Sequence, residues 1–161
     1  MTAVPSVSPP RPAPPSVAGV SGGVGTSTLA VALGGCDLGV FAGRPADVVV
    51  CRGTVASVLM AGRVAALCAR PVVAVVAVDA AKPGQPLTSR LALLEPHTAA
   101  VVLVPHVPQW RDVVDPLAEL RRDLSVPVDG LPRPVRRFVD AVALLQEALR
   151  GPVDPVRAVR T

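Results

Sequence analysis

From residue 16 onward the chain alternates short, continuous apolar runs with longer segments whose apolar residues recur at helical spacing. The short runs, at residues 16–20, 47–52, 72–79 and 99–105, are rich in valine and end at glycine or a polar residue. They lack the alternation of a strand with one wet face, so they predict parallel strands covered on both sides. Helices are expected between them at 26–33, 55–69 and 87–94, and no strand is expected in the interval 34–46. Such a βαβ series predicts an α/β fold: a doubly wound, mostly parallel sheet flanked by helices and joined by right-handed crossovers.

Two further helices carry start signals. Asp115 can cap one whose first residue is Pro116, and Pro134 can open another that runs to Arg150. In the latter Val135, Phe138, Val139, Val142, Leu145 and Leu149 form a stripe, with Arg136, Arg137, Asp140 and Glu147 largely off it. Gly151 and Pro152 end it. The expected organisation is a proline-rich, disordered tail over 1–16, one domain over 17–150 and a flexible tail over 151–161.

Composition narrows the class. A chain of 161 residues suits one domain. Its mean hydropathy of +0.50 is high, yet the longest apolar run, 71–78, falls far short of the roughly 20 residues of a membrane span. The first residues have no apolar signal core, so a cytoplasmic location is expected. All but one of the 16 basic residues are arginine, the exception being Lys82, and with the abundance of Ala, Val and Pro this bias suggests a bacterial, GC-rich source. Cys36, Cys51 and Cys68 lack CxxC spacing and read as buried, reduced thiols, while His97 and His106 complete no metal set.

The most informative stretch is 17–33, in which a strand runs into Ser21-Gly22-Gly23-Val24-Gly25, then Thr26-Ser27-Thr28, then a helix. A loop of this composition turns successive main-chain N–H groups inward, and the helix start behind it adds partial positive charge. Phosphate is the natural guest.

Residues 21–28 resemble the deviant Walker A loop of ParA/MinD-type P-loop ATPases, KGGVGK(S/T)T. The resemblance implies a P-loop NTPase-like fold that binds ATP or another nucleotide with Mg²⁺. It makes Gly22, Gly23 and Gly25 the loop formers, Ser27 the Mg²⁺ ligand and Thr28 a contact to the α-phosphate region. Ser21 and Thr26 stand where the family has its two lysines, which implies weak binding without efficient hydrolysis. Each lost charged contact is worth about 1.5–3 kcal/mol. Where the family places a metal-side aspartate at the end of the Walker B strand, this chain has Cys51-Arg52, and Asp37 is the only carboxylate in 34–46. A guanidinium at Arg52 can take over the missing lysine charge or bond to local carbonyls. Residues 104–113 are similar to the family loop that edges the adenine pocket, which nominates Pro105, His106 and Val107 as base contacts.

Other residues keep two readings. Trp110 can stack on a purine or pack as a lid, His106 can act in the site or bond to backbone, and Asp79 can mimic a Walker B carboxylate or cap a helix. Arg121, Arg122, Arg133, Arg136 and Arg137 form either a DNA surface or solvated helix faces. Gly19-Val20-Ser21-Gly22-Gly23 also fits the GxSxG elbow of a serine hydrolase, with Asp79 and then His97 or His106 in triad order. The resemblance favours a pseudo-ATPase acting as regulatory or scaffold subunit in bacterial partition, positioning, conjugation or secretion, as a homodimer or through an unidentified protein. The alternative is a pure interaction module that binds no nucleotide.

Overall fold

The computed structural model describes residues 13–151. In chain order its elements are β1 (Ser16–Gly19), α1 (Thr26–Leu33), β2 (Cys36–Val40), β3 (Val48–Arg52), α2 (Val55–Ala65), β4 (Val72–Val76), α3 (Gln85–Leu94), β5 (Ala100–Val104), α4 (Pro116–Leu124) and α5 (Arg133–Arg150). The strands form one all-parallel sheet in the order β2-β1-β3-β4-β5. This is the expected α/β architecture, a parallel sheet flanked by helices and consistent with a P-loop NTPase-like arrangement.

The valine-rich runs lie at the centre because only buried parallel strands use continuous apolar sequence. Val48, Val49, Val50 and Cys51 of β3 are fully buried, as are Val73 and Ala74 of β4. The chain moves from β1 outward to β2, then back across β1 to β3, β4 and β5. Right-handed crossovers therefore put α1 on one face and α2 and α3 on the other. The helices α4 and α5 contact α1 on its face, while α2 packs against α3. On α5 the predicted stripe is the buried one: Val135, Phe138, Val142 and Leu145 face the sheet.

The strand β2 corrects the sequence reading, which placed none in 34–46. It is an edge strand made of Cys36-Asp37-Leu38-Gly39-Val40, mostly exposed, with Gly39 at φ 69° where the pairing with β1 shifts register. Its apolar residues, Cys36, Leu38 and Val40, do alternate with Asp37 and Gly39, but the run is short and mostly exposed, as suits an edge strand with little to bury. The connection from β2 to β3 has no helix. Residues 41–47 cross β1 directly, pinned by Phe41 N–H on the Gly19 carbonyl and Asp47 N–H on the Ser16 carbonyl.

Several boundaries also move. Ser16 belongs to β1 and not to a tail, its N–H and hydroxyl both donating to Asp47 Oδ2 at 2.8 and 2.7 Å. The strand β4 stops at Val76, leaving Val78 and Asp79 exposed in the following turn. The helix α2 ends at Ala65, and the chain then turns through Arg70, held at φ 50° with its guanidinium on the Thr98 carbonyl. The tail expectations for 1–12 and 152–161 lie outside the described residues. Among the described residues no helix is long and apolar enough to cross a membrane.

Candidate functional site: a glycine loop at the sheet's carboxyl edge

The strand β1 ends at Gly19 and α1 begins at Thr26, so the loop between them leaves the sheet where strand order reverses, with β2 on one side and β3 on the other. Open α/β sheets bind ligands outside the strand C-termini at such a point.

Small residues let the loop fold back over the strand. A Cβ at Gly19 would run into Thr26 Oγ1 and lie 2.8 Å from Val24 Cγ2. Val24 is the loop's anchor, its side chain buried in the core, so of the predicted binding residues it contributes main chain only. Gly23 and Gly25 adopt φ of 70° and 100°, with Val24 between them on the ordinary negative side. Alternation of this kind turns neighbouring N–H groups toward a common concavity.

The main-chain donors follow. Val20 N–H is used in the sheet, on the Val50 carbonyl, and Leu29 N–H closes the first turn of α1 on the Gly25 carbonyl. Between them, among the described residues, no N–H from Ser21 to Thr28 is donated to a protein acceptor. The helix start adds nothing to satisfy them, since Gly25 has no capping side chain and the first turn of α1 holds no acidic residue. Orphan N–H groups at a helix start, with the partial positive charge behind them, are the elements of an anion site.

Two charged side chains flank the loop. Arg52, the exposed last residue of β3, donates from Nη2 to the Gly23 carbonyl at 2.8 Å. The partner is thus a local carbonyl, and it is the loop's own, so the cation sits beside the cradle. On the other flank Ser27 Oγ donates to Asp37 Oδ2 at 2.6 Å, while Asp37 Oδ1 takes the Gly39 N–H at 2.8 Å. Asp37 is the functional candidate that sequence reasoning left out of the site. Its being the only carboxylate in 34–46 was the available signal, but the strand that delivers it was not visible.

The C-terminal end of the loop opens onto a half-open cavity of about 130 Å³ lined by Gly25, Thr28 and Val76 on one side and by Pro105, His106 and Trp110 on another. The structure therefore brings Pro105 and His106 to one cavity with the end of the loop. Trp110 is a wall of this cavity and is held in place: its indole Nε1 donates to Asp123 Oδ2 at 2.9 Å, and its ring meets Phe138 edge-on at 4.8 Å.

Thr26, in the position of the family's second lysine, is half-buried over Gly19, while Ser21 and Gly22 are exposed. Cys51 is buried inside β3, and burial pushes its thiol up to about 12, so it stays protonated and is no substitute for a metal-side carboxylate. Cys36 is exposed, against the expectation of three buried thiols, and Cys68 is half-buried. No cluster of three or more His, Cys, Asp or Glu side chains exists among the described residues. For Mg²⁺ the fitting pair is Ser27 Oγ and Asp37 Oδ2, hard oxygens in mutual contact, as suits an ion held by one or two protein groups plus ligand phosphates.

Of the hydrolase constellation, His97 precedes β5, at the opposite end of the sheet from Ser21, and Asp79 accepts the Ala81 N–H; among the described residues no hydrogen bond joins any two of the Ser21, Asp79 and His106 side chains. The arginines of α4 and α5 are partly engaged: Arg122 pairs with Glu119 at 2.7 Å, and Arg136 donates to the Leu131 carbonyl. The chain matches no protein-family model, no curated protein and no solved structure.

Proposed function

We propose that the loop 21–28 holds the phosphate of a nucleotide or related ligand weakly and without efficient hydrolysis, in a ParA/MinD-like domain that acts on a protein partner as a regulatory or scaffold subunit. One observation carries this reading: the run of main-chain N–H groups from Ser21 to Thr28 that find no acceptor among the described residues, folded around positive-φ glycines at a helix start. In the protein such a run costs stability unless water or an anion satisfies it.

The side chains set the strength. With Ser21 and Thr26 in place of lysines, the loop lacks the cations that neutralise charge developing on a transferring phosphoryl group, which argues against fast hydrolysis. Arg52 supplies one cation from β3, close enough to move from the Gly23 carbonyl to a phosphate oxygen. Ser27 and Asp37 would hold Mg²⁺, which would neutralise phosphate charge when bound. Binding that is weak and hydrolysis that is slow suit a protein whose output is a contact with another protein in partition, positioning, conjugation or secretion.

The test is a melting experiment with Mg-ATP, Mg-GTP and inorganic phosphate. A ligand at about a hundred times its Kd adds roughly 2.7 kcal/mol, a shift on the order of 10 °C for a domain of this size. A shift that is lost in Ser27→Ala or Gly23→Phe supports the reading. Indifference to every phosphate compound, together with co-purification of a protein partner, would replace it with the pure interaction module.

A further inference from the structure

The cavity beside the loop is small, and its walls are fixed. Val104 and Leu29 are 1% exposed, Phe138 2% and Val107 6%, and all belong to the hydrophobic core. Trp110, the sole tryptophan, is pinned by Asp123 and Phe138. Enlarging the cavity at these walls requires moving core side chains or breaking the indole's hydrogen bond.

Its volume of about 130 Å³ is below the roughly 300–1,000 Å³ of ordinary small-molecule sites. An apolar cavity of about 150 Å³ takes up one benzene. We infer that the ligand part entering this cavity is at most a single six-membered ring, so that the site selects a phosphate monoester of a small apolar or aromatic group and does not enclose a nucleotide base. This deepens the phosphate reading of the loop and rests on it. The lining agrees with the size argument: His106 and Thr28 are its only polar side chains apart from the indole of Trp110, whose N–H is already donated. Reading the edge of a purine needs more donors and acceptors than that. A nucleotide held by its phosphates would leave its base outside.

Charge-matched probes separate the two layers of this account. The chain is titrated without metal against phenyl phosphate, AMP and inorganic phosphate, following Trp110 fluorescence and melting temperature. The expected result is that phenyl phosphate binds about tenfold more tightly than either AMP or inorganic phosphate, in line with burial of one ring, and alone changes the indole emission. Val76→Phe, placed against Gly25 to fill the cavity, should erase that advantage and leave inorganic phosphate binding intact; Val76→Leu is the milder version if the larger ring disturbs folding. AMP binding as tightly as phenyl phosphate would overturn the size selection and leave the loop's phosphate role standing. Failure of all three probes would overturn the phosphate reading, and this inference with it.

Discussion

Ser27 donates its hydroxyl to Asp37 across 2.6 Å, which ties the first turn of α1 to the edge strand β2 and sets a carboxylate beside a loop of orphan N–H groups. That carboxylate opposes an anion when no metal is present and favours one when a divalent cation bridges them. Two unit charges at about 4 Å repel by roughly 1 kcal/mol in water. Asp37→Asn should therefore bind inorganic phosphate several-fold more tightly in EDTA and lose any gain from Mg²⁺. Calorimetric titration with and without the metal checks both signs.

Arg52 is the only cation whose hydrogen bond to the loop is seen among the described residues, through the Gly23 carbonyl at 2.8 Å. Arg52→Ala should weaken phosphate binding by one to two decades, since a charge-assisted hydrogen bond is worth about 1.5–3 kcal/mol. Stability should change by less than about 1 kcal/mol, because the Gly23 carbonyl is exposed and can turn to water. A melting curve without ligand and a binding isotherm separate the two effects.

Thr26 lies over Gly19, in the position from which the resembled family projects a lysine. Thr26→Lys should raise affinity for Mg-ATP by about tenfold, the value of one regained charged contact. Unchanged affinity, with the fold intact by circular dichroism, would mean that the loop's curvature does not present its N–H groups to a phosphate.

Cys51 gives the fold a pH dependence of known sign. Its thiol is pushed from 9.0 up to about 12 by burial, so above pH 9 the unfolded chain releases a proton that the folded chain retains. The contribution is complete below pH 9 and falls away between pH 9 and 12. Cys51→Ala should flatten the alkaline loss of melting temperature relative to the parent chain. In the native protein a thiol reagent should modify exposed Cys36 first and Cys51 only on unfolding.

How much of this was legible in the sequence depended on burial. The strands β3 and β4 announced themselves because residues 48–51 and 72–75 are buried. The start of α4 was readable because Asp115 Oδ1 accepts the Ala118 N–H at 3.0 Å, a local bond that the residue type dictates. The edge strand β2 was not, since Asp37 and Gly39 are poor strand formers and Gly39 sits at φ 69° where the pairing with β1 shifts register. Missing β2 also hid the meeting of Asp37 with Ser27, a contact ten residues apart in sequence. The present partners of Arg52 and Trp110 are tertiary neighbours. Gly23 and Asp123 lie 29 and 13 residues away from them, beyond any local signal.

The central claim is that the main-chain N–H groups of 21–28 form an oxyanion seat, and amide-resolved NMR addresses it directly. In a ¹⁵N–¹H titration with phenyl phosphate, the account predicts saturable downfield shifts concentrated at Gly22, Gly23, Gly25, Thr26 and Ser27, with the Arg52 side-chain Nε–Hε responding at the same midpoint. Saturation with no movement of the 21–28 amides, or shifts confined to α4 and α5, would contradict it.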